Sequence, residues 1–222
     1  MEPKVSERLL SIAGLVPKGS VVCDIGCDHA LLPIYLIKNN IAKSAIAMDV
    51  VEGPLKGARE NIKRFGLEDK IEVRLSDGFD SLRIGEANCV VIAGMGGNLM
   101  LKLLLQGKSI WQECDSIILS PHRDDILIRE YMSECSLYDS DIFLKDGGEF
   151  YTAMRFLPNK KPKIIKKSNL LYGLNPTKEY LFHKKKVYNE IIDALDLAKE
   201  TESIRLKREE TLNHLKLLEE ML

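Results

Sequence analysis

The chain has 222 residues, 45% of them hydrophobic and 29% charged, enough for one good core and a small additional module. Its apolar runs, around Val21 to Ile25 and Asn88 to Met95, fall far short of the roughly 20 residues that span a bilayer. The opening MEPKVSERLL lacks the basic-then-apolar order of a secretory signal, and five cysteines without a CxxC pair or a histidine cluster read as free thiols. A reducing, cytoplasmic compartment and no metal site are expected.

Val5 to Leu15 places apolar residues at 5, 9, 12 and 13, the spacing of an opening amphipathic helix. Pro17-Lys18-Gly19 breaks it before a strand at Val21 to Ile25, and a helix is predicted from about Leu31. A second strand is predicted at Ala45 to Asp49, a helix from Glu52 to Phe65 stopping at Gly66, and strands at Ile71 to Leu75 and Cys89 to Ala93. Asn98 to Leu105 reads as helix, Ser116 to Leu119 as a fifth strand, and about Asp124 to Glu134 as helix again. Two last strands, near Leu137 to Leu144 and Phe150 to Phe156, flank the turn signal Lys145-Asp146-Gly147-Gly148-Glu149. Alternating strands and helices imply a mostly parallel sheet covered on both faces, and the closing pair without a helix must be antiparallel.

The character changes at Pro158. Residues 1–157 hold 18 basic against 23 acidic side chains, whereas residues 158–222 hold 14 against 10. Nine lysines and one acid, Glu179, lie between Pro158 and Tyr188. That stretch suits a solvated linker and helix face, or a docking surface for a polyanion, with Lys160, Lys161, Lys184, Lys185 and Lys186 as candidate phosphate contacts. Asn175-Pro176-Thr177 is a helix start with proline in its first turn. Leu181, Tyr188, Ile191, Leu195 and Ala198 form one apolar stripe; Thr201 to Ser203 interrupts it, and Leu212, Leu215, Leu218 and Leu222 form a second. Two helices in an antiparallel hairpin fit best, with a broken helix dimerising as a coiled coil as the alternative. Monomer and homodimer both remain open.

The first strand ends in Asp24-Ile25-Gly26-Cys27-Asp28-His29. Gly26 lets backbone approach a ligand at the carboxyl edge of the sheet, where such folds bind cofactors. A dinucleotide needs G-x-G-x-x-G, but the second glycine position is Asp28, whose carboxylate would repel a pyrophosphate. A cationic sulfonium cofactor with a free amino group suits this turn better. Asp49, at the end of strand two, is placed to accept ribose hydroxyls with Val50 beside it, and Asp77-Gly78 after strand three to reach an adenine amino group. Each acid alone could be a turn or helix cap; three at consecutive strand ends on one edge raise the reading. Gly94-Met95-Gly96-Gly97 after strand four leaves bare backbone beside a ligand at a helix N-terminus.

These motifs together resemble the bacterial tRNA (adenine-22-N1)-methyltransferase family. The resemblance rests on DIGCDHALLP (24–33), the D-x3-GPL-x2-A-x2-N run from Asp49 to Asn61, SDGF (76–79), GMGG (94–97) and two helices after YGLNP (172–176). It implies a Rossmann-like class I methyltransferase sheet with an antiparallel last strand over residues 1–157, and a basic linker with a tRNA-binding helical hairpin over 158–222. It implies S-adenosylmethionine as cofactor, tRNA as substrate, and N1 of adenine as the methyl acceptor. Under that reading Asp24, Gly26, Cys27, Asp28, His29, Asp49, Val50, Asp77, Gly78, Gly94, Met95 and Gly96 hold the cofactor. Adenine N1 carries a lone pair and needs no obligatory deprotonation, so the catalytic candidate Asp28 would accept a hydrogen bond from the N6 amino group and offset developing charge. His29 reads as a structural turn residue. Two patterns are missing: the Asn/Asp-Pro-Pro-aromatic loop of amino-group methyltransferases, and the family's Gln-Pro turn after strand five, where Ser120-Pro121-His122-Arg123 stands instead. Another RNA or a small molecule as acceptor, or a non-catalytic binding module, are the alternatives.

Overall fold

The computed structural model describes residues 3–222, in two compact units that divide between Lys163 and Ile164. The first unit opens with α1 (Glu7–Leu15), capped by Ser6, whose hydroxyl accepts the Leu9 N–H. It continues through β1 (Ser20–Ile25), α2 (Leu31–Lys38), β2 (Ala42–Asp49), α3 (Glu52–Phe65), β3 (Ile71–Leu75) and β4 (Cys89–Ala93). Next come α4 (Gly97–Gln106), α5 (Lys108–Trp111), β5 (Ser116–Ser120), α6 (Asp125–Cys135), β6 (Leu137–Asp146) and β7 (Glu149–Leu157).

The seven strands form one sheet in the order β3-β2-β1-β4-β5-β7-β6. β1 to β5 run parallel, and β7 is antiparallel to both β5 and β6. This is the class I methyltransferase arrangement. β4 and β5 are buried along almost their whole length, which is why they read as continuous apolar runs. Chain order reverses between β1 and β4, paired from Val22↔Cys89 to Ile25↔Ile92. The crevice beyond the carboxyl ends of such a switch point is where open α/β sheets bind ligands.

One core cluster joins Ile12 and Leu15 of α1, Ile34 and Leu36 of α2 and Leu55, Ala58 and Ile62 of α3 to Val22, Ala45, Val91 and Ile118 of the sheet. Each large side chain buried here contributes about 1.5–3 kcal/mol. α3 ends at Gly66, whose φ of 65° no β-carbon has to tolerate. α5 has no counterpart in the sequence reading; it seats the fully buried Trp111, whose indole N–H donates to Leu104 O at 2.7 Å. Residues 158–163 go with the first unit, where Asn159 Nδ2 donates to Asp115 Oδ1 at 3.3 Å.

The second unit contains α7 (Lys167–Tyr172), α8 (Lys178–Leu197) and α9 (Glu202–Glu219). α7 falls inside the stretch read as linker; Leu171 and Tyr172 are buried, and the Tyr172 hydroxyl donates to His214 O at 2.6 Å. Thr177 caps α8 by accepting the Tyr180 N–H, so Pro176 stands before the cap and not in the first turn as expected. Thr201 caps α9 in the same way through Ile204 N–H. Ion pairs Lys185–Glu219 (2.8 Å) and Arg208–Asp196 (2.6 Å) tie the two helices at both ends, which makes them an antiparallel hairpin. The seam is narrower than the stripes suggest: Leu181 and Leu218 are buried, whereas Ala198, Leu212 and Leu222 are exposed and Thr211 turns inward. Among the described residues no helix is long and apolar enough to cross a membrane.

Candidate functional site

β1 delivers the first site residues through a sharply bent turn. The N–H groups of Gly26 and Cys27 both donate to Met48 O, at 2.8 and 2.9 Å, folding the turn across the end of β2. Gly26 has φ 78°, a left-handed conformation that favours glycine, and a β-carbon there would press on the end of the Met95 side chain at 2.7 Å. Asp28 (φ 50°) and Ala30 (φ 57°) take left-handed conformations that glycine would adopt more readily. Such strain persists where surrounding structure enforces it, commonly at ligand sites.

Asp49 is fixed by the backbone of both turns: Oδ2 accepts from Asp28 N–H (3.3 Å) and Oδ1 from Val51 N–H (3.0 Å). Each oxygen keeps a further lone pair for an incoming hydroxyl. Val50 beside it is exposed, as is Asp77 beyond β3. Gly78 is buried with φ 55°, and a β-carbon would meet Leu103 Cδ2 at 2.6 Å, so it serves the packing of α4. His29 rests on α3: a β-carbon at Gly57 would meet its Nδ1 at 2.3 Å, and Asn61 Nδ2 donates to His29 O at 3.1 Å. Its Nε2 lies 3.5 Å from Asp28 Oδ1, while the Asp28 side chain is 72% exposed.

The glycine loop after β4 is zipped to the loop after β5. Gly94 N–H donates to Ser120 O (3.1 Å), His122 N–H to Met95 O (2.9 Å) and Gly97 N–H to Arg123 O (3.1 Å). A β-carbon on Gly97 would stand 2.7 Å from Asp124 O, so the start of α4 touches bare backbone. Gly94 (φ 80°) is exposed and Gly96 caps α4 without a side chain. The Ser120-Pro121-His122-Arg123 segment, unlike the expected Gln-Pro turn in composition, thus frames the site through its backbone.

Between β1 and β4 these loops enclose a cavity of about 270 Å³, whose walls include Asp24, Gly26, Cys27, Asp28, Gly94 and Arg8 of α1. Asp24 is 5% exposed and has no hydrogen-bond or ion-pair partner among the described residues. Burial, and then the nearby charge of Asp49, raise its pKa from 3.8 to about 7. Burial, reinforced by Asp24 and Asp49, also pushes the Cys27 thiol far above its ordinary range, so that wall is neutral sulfur. A cavity whose buried carboxylate has no ion-pair partner, with Arg8 elsewhere in its wall, suits a ligand that brings a positive charge to Asp24. The structure therefore groups Asp24, Gly26, Cys27, Asp28 and His29 with Gly94 around the cavity, links Asp49 to them by a hydrogen bond, and brings Met95 against Gly26.

Lys160 and Lys161 follow β7 in the first unit and are exposed; Lys184, Lys185 and Lys186 lie on α8 in the second. Lys184 covers the Tyr180 ring at 5.5 Å, Lys185 pairs with Glu219, and Lys186 lies 3.8 Å from Glu190. Sequence reasoning missed a second cluster. Arg8 Nη1 stands 3.2 Å from both ring nitrogens of His122, its guanidinium is 5.3 Å from the Tyr151 ring centroid, and the two rings meet edge-on. These residues come from α1, the loop after β5 and β7, separations that leave no local pattern to read. Among the described residues no histidine, cysteine and carboxylate cluster could hold a metal ion.

Comparison with known proteins identifies the family. The methyltransferase-domain family matches residues 5–154. The chain is 32% identical, over its whole length and 98% of the relative, to the tRNA (adenine(22)-N(1))-methyltransferase of Bacillus subtilis strain 168. The crystal structure of the B. subtilis tRNA methyltransferase TrmK superposes with a TM-score of 0.86 at 30% identity, covering 99% of both chains. M. capricolum TrmK in complex with S-adenosyl-homocysteine superposes with a TM-score of 0.86 at 25% identity, covering 98% of this chain and 97% of that one. The similarity runs through the glycine loops and the C-terminal helices alike, and the chain belongs to the tRNA (adenine(22)-N(1))-methyltransferase family.

Proposed function

We propose that this protein transfers the methyl group of S-adenosylmethionine to N1 of adenine 22 in tRNA. The observation that carries the reading is the buried, unpartnered carboxylate of Asp24 facing the cavity at the β1–β4 switch point, in a chain similar end to end to an enzyme named for that reaction. The residues fit the cofactor: Asp24 faces its ammonium, Asp49 accepts from the ribose, and Val50 and Asp77 flank the adenine. S-adenosylmethionine supplies an electrophilic methyl group on a cationic sulfur. Gly94 and Gly96 keep the approach to that methyl group free of side-chain bulk.

Asp28 stands at the lip of the cavity with its carboxylate largely in solvent. There it accepts a hydrogen bond from the target adenine's N6 amino group, aligns N1 with the methyl group, and offsets the positive charge that the base acquires. His29 and the Asp49 hydrogen bond hold the Asp28 turn in its left-handed conformation. The lysines of residues 158–188 contact phosphates and position the RNA without reading its sequence. Such a substrate places the enzyme in the cytoplasm. Incubation with methyl-labelled S-adenosylmethionine and bulk tRNA tests the proposal: label enters tRNA, whereas label confined to another acceptor, or none, removes it.

A further inference from the structure

The order β1-β4-β5 sets three segments side by side along the carboxyl edge of the sheet: the Asp28 turn, the glycine loop and Ser120-Pro121-His122-Arg123. Two exposed side chains of the last segment lie against the glycine loop. His122 Nε2 is 3.8 Å from where a β-carbon on Gly94 would stand, and Arg123 Nε is 3.7 Å from the same point on Gly96. The space that residues 94 and 96 leave empty is thus bordered by an imidazole and a guanidinium. His122 is anchored, since its N–H donates to Met95 O while its ring meets Arg8 of α1 at 3.2 Å and Tyr151 of β7 edge-on. Burial and the Arg8 charge, with a smaller push from Arg123, lower its pKa below the ordinary 6.5, so the ring is largely neutral at pH 7. The Arg123 side chain makes no hydrogen bond or ion pair among the described residues, and neighbouring Asp124 is engaged with Asn98.

Resting on the methyltransferase reading above, we propose that His122 and Arg123 seat the target nucleotide, the imidazole stacking against the adenine and the guanidinium receiving its phosphate. A base drawn out of an RNA stack loses its neighbours, and an aromatic face restores that contact. An uncharged ring suits a base that turns cationic as N1 is methylated. The phosphate needs a cation here, because the exposed carboxylates of Asp28 and Asp77 on the same edge repel an RNA backbone. A guanidinium also offers paired N–H donors that match phosphate oxygens. With Asp28 on one side of the glycine loop and His122 and Arg123 on the other, a base over Gly94 is contacted from both flanks. The departure from a Gln-Pro turn gains a role: its backbone pairing with the glycine loop carries a ring and a cation to the acceptor side.

Variants assayed on unmodified tRNA at saturating S-adenosylmethionine test the seat. Arg123→Gln is expected to weaken tRNA binding about three- to tenfold and to lower its salt slope by about one unit, with S-adenosylhomocysteine affinity unchanged by calorimetry. His122→Ala should lower kcat about tenfold, and His122→Phe, which keeps an aromatic face, should recover most of that loss. A His122→Phe protein as slow as His122→Ala would overturn the proposal. So would unchanged tRNA affinity and salt slope in Arg123→Gln. Loss of S-adenosylhomocysteine affinity in Arg123→Gln would assign the segment to the cofactor and overturn it as well. Wild-type protein that binds S-adenosylhomocysteine but methylates no tRNA would overturn the functional reading and the seat with it; an active wild type beside unaffected variants would overturn the seat alone.

Discussion

A carboxylate shut away from water without a cation destabilises a fold unless a ligand supplies the missing charge. Asp24 is in that position, and its raised pKa has a definite sign. The native state holds the proton more tightly than the unfolded chain, so this group's contribution to stability is full below pH 3.8 and is lost as pH rises through about 7. A ligand ammonium reverses the preference. Cofactor binding should therefore release protons near neutral pH, read by calorimetry in buffers of different ionisation enthalpy, and Asp24→Asn should abolish the release. Binding enthalpy independent of buffer would contradict the placement of Asp24. Asp28, exposed at the lip, should behave differently: Asp28→Ala is expected to lower kcat by about a hundredfold or more with little change in tRNA affinity. Equal losses in both would make it a binding or folding residue. The acids were legible in the sequence because they stand at or beside consecutive strand ends. Arg8, His122 and Tyr151 were not, because only folding brings residues so distant in the chain together. Gly78 read as a ligand contact; its φ of 55° and the Leu103 side chain beside it also favour a glycine for local packing.

At the scale of elements, the site is two loop pairs pressed together where glycines permit it. Gly97→Ala would push a β-carbon to 2.7 Å from Asp124 O and 3.0 Å from Arg123 O, both backbone atoms unable to swing aside. A loss of about 1–3 kcal/mol in chemical denaturation is expected, with weaker cofactor binding as the zipper opens. Gly53→Ala, facing open space on α3, should leave stability unchanged or slightly raised. Similar effects from the two changes would show that the loop contact is not tight. The predicted limits of α3, β3 and β4 are those of the fold, because Gly66 and the strand-end polar residues punctuate the chain strongly. α5 and α7 escaped, since four and six residues are too few to display a helical period. In the hairpin, the sequence showed leucine stripes but not which way each helix turns. Thr211 is buried, its hydroxyl satisfied by Lys207 O, while Leu212 looks outward.

At the scale of the whole molecule, residues 1–157 are acid-rich and the remainder is basic, and the proposed function gives cofactor chemistry to the first and contacts with a polyanion to the second. The ion pairs on α8 sharpen that division. Lys185 is already engaged by Glu219, so it offers less to phosphate than Lys184 beside it. Replacing Lys184, Lys185 and Lys186 together by Gln should lower tRNA affinity and flatten its salt dependence by up to about three units of slope. Glu219→Gln, which frees Lys185, should leave affinity equal or higher. Filter binding across a salt series checks both, and an unchanged slope in the triple variant would give the tail to stability alone. The protein's place in its family, the buried carboxylate of its cavity and the lysine-rich stretch of residues 158–188 converge on one product. Mass mapping of an unmodified tRNA after reaction with the protein and S-adenosylmethionine tests it most directly. A single added methyl group on N1 of adenine 22 is the expected result; methylation at any other nucleotide, or at another atom of that base, would contradict it.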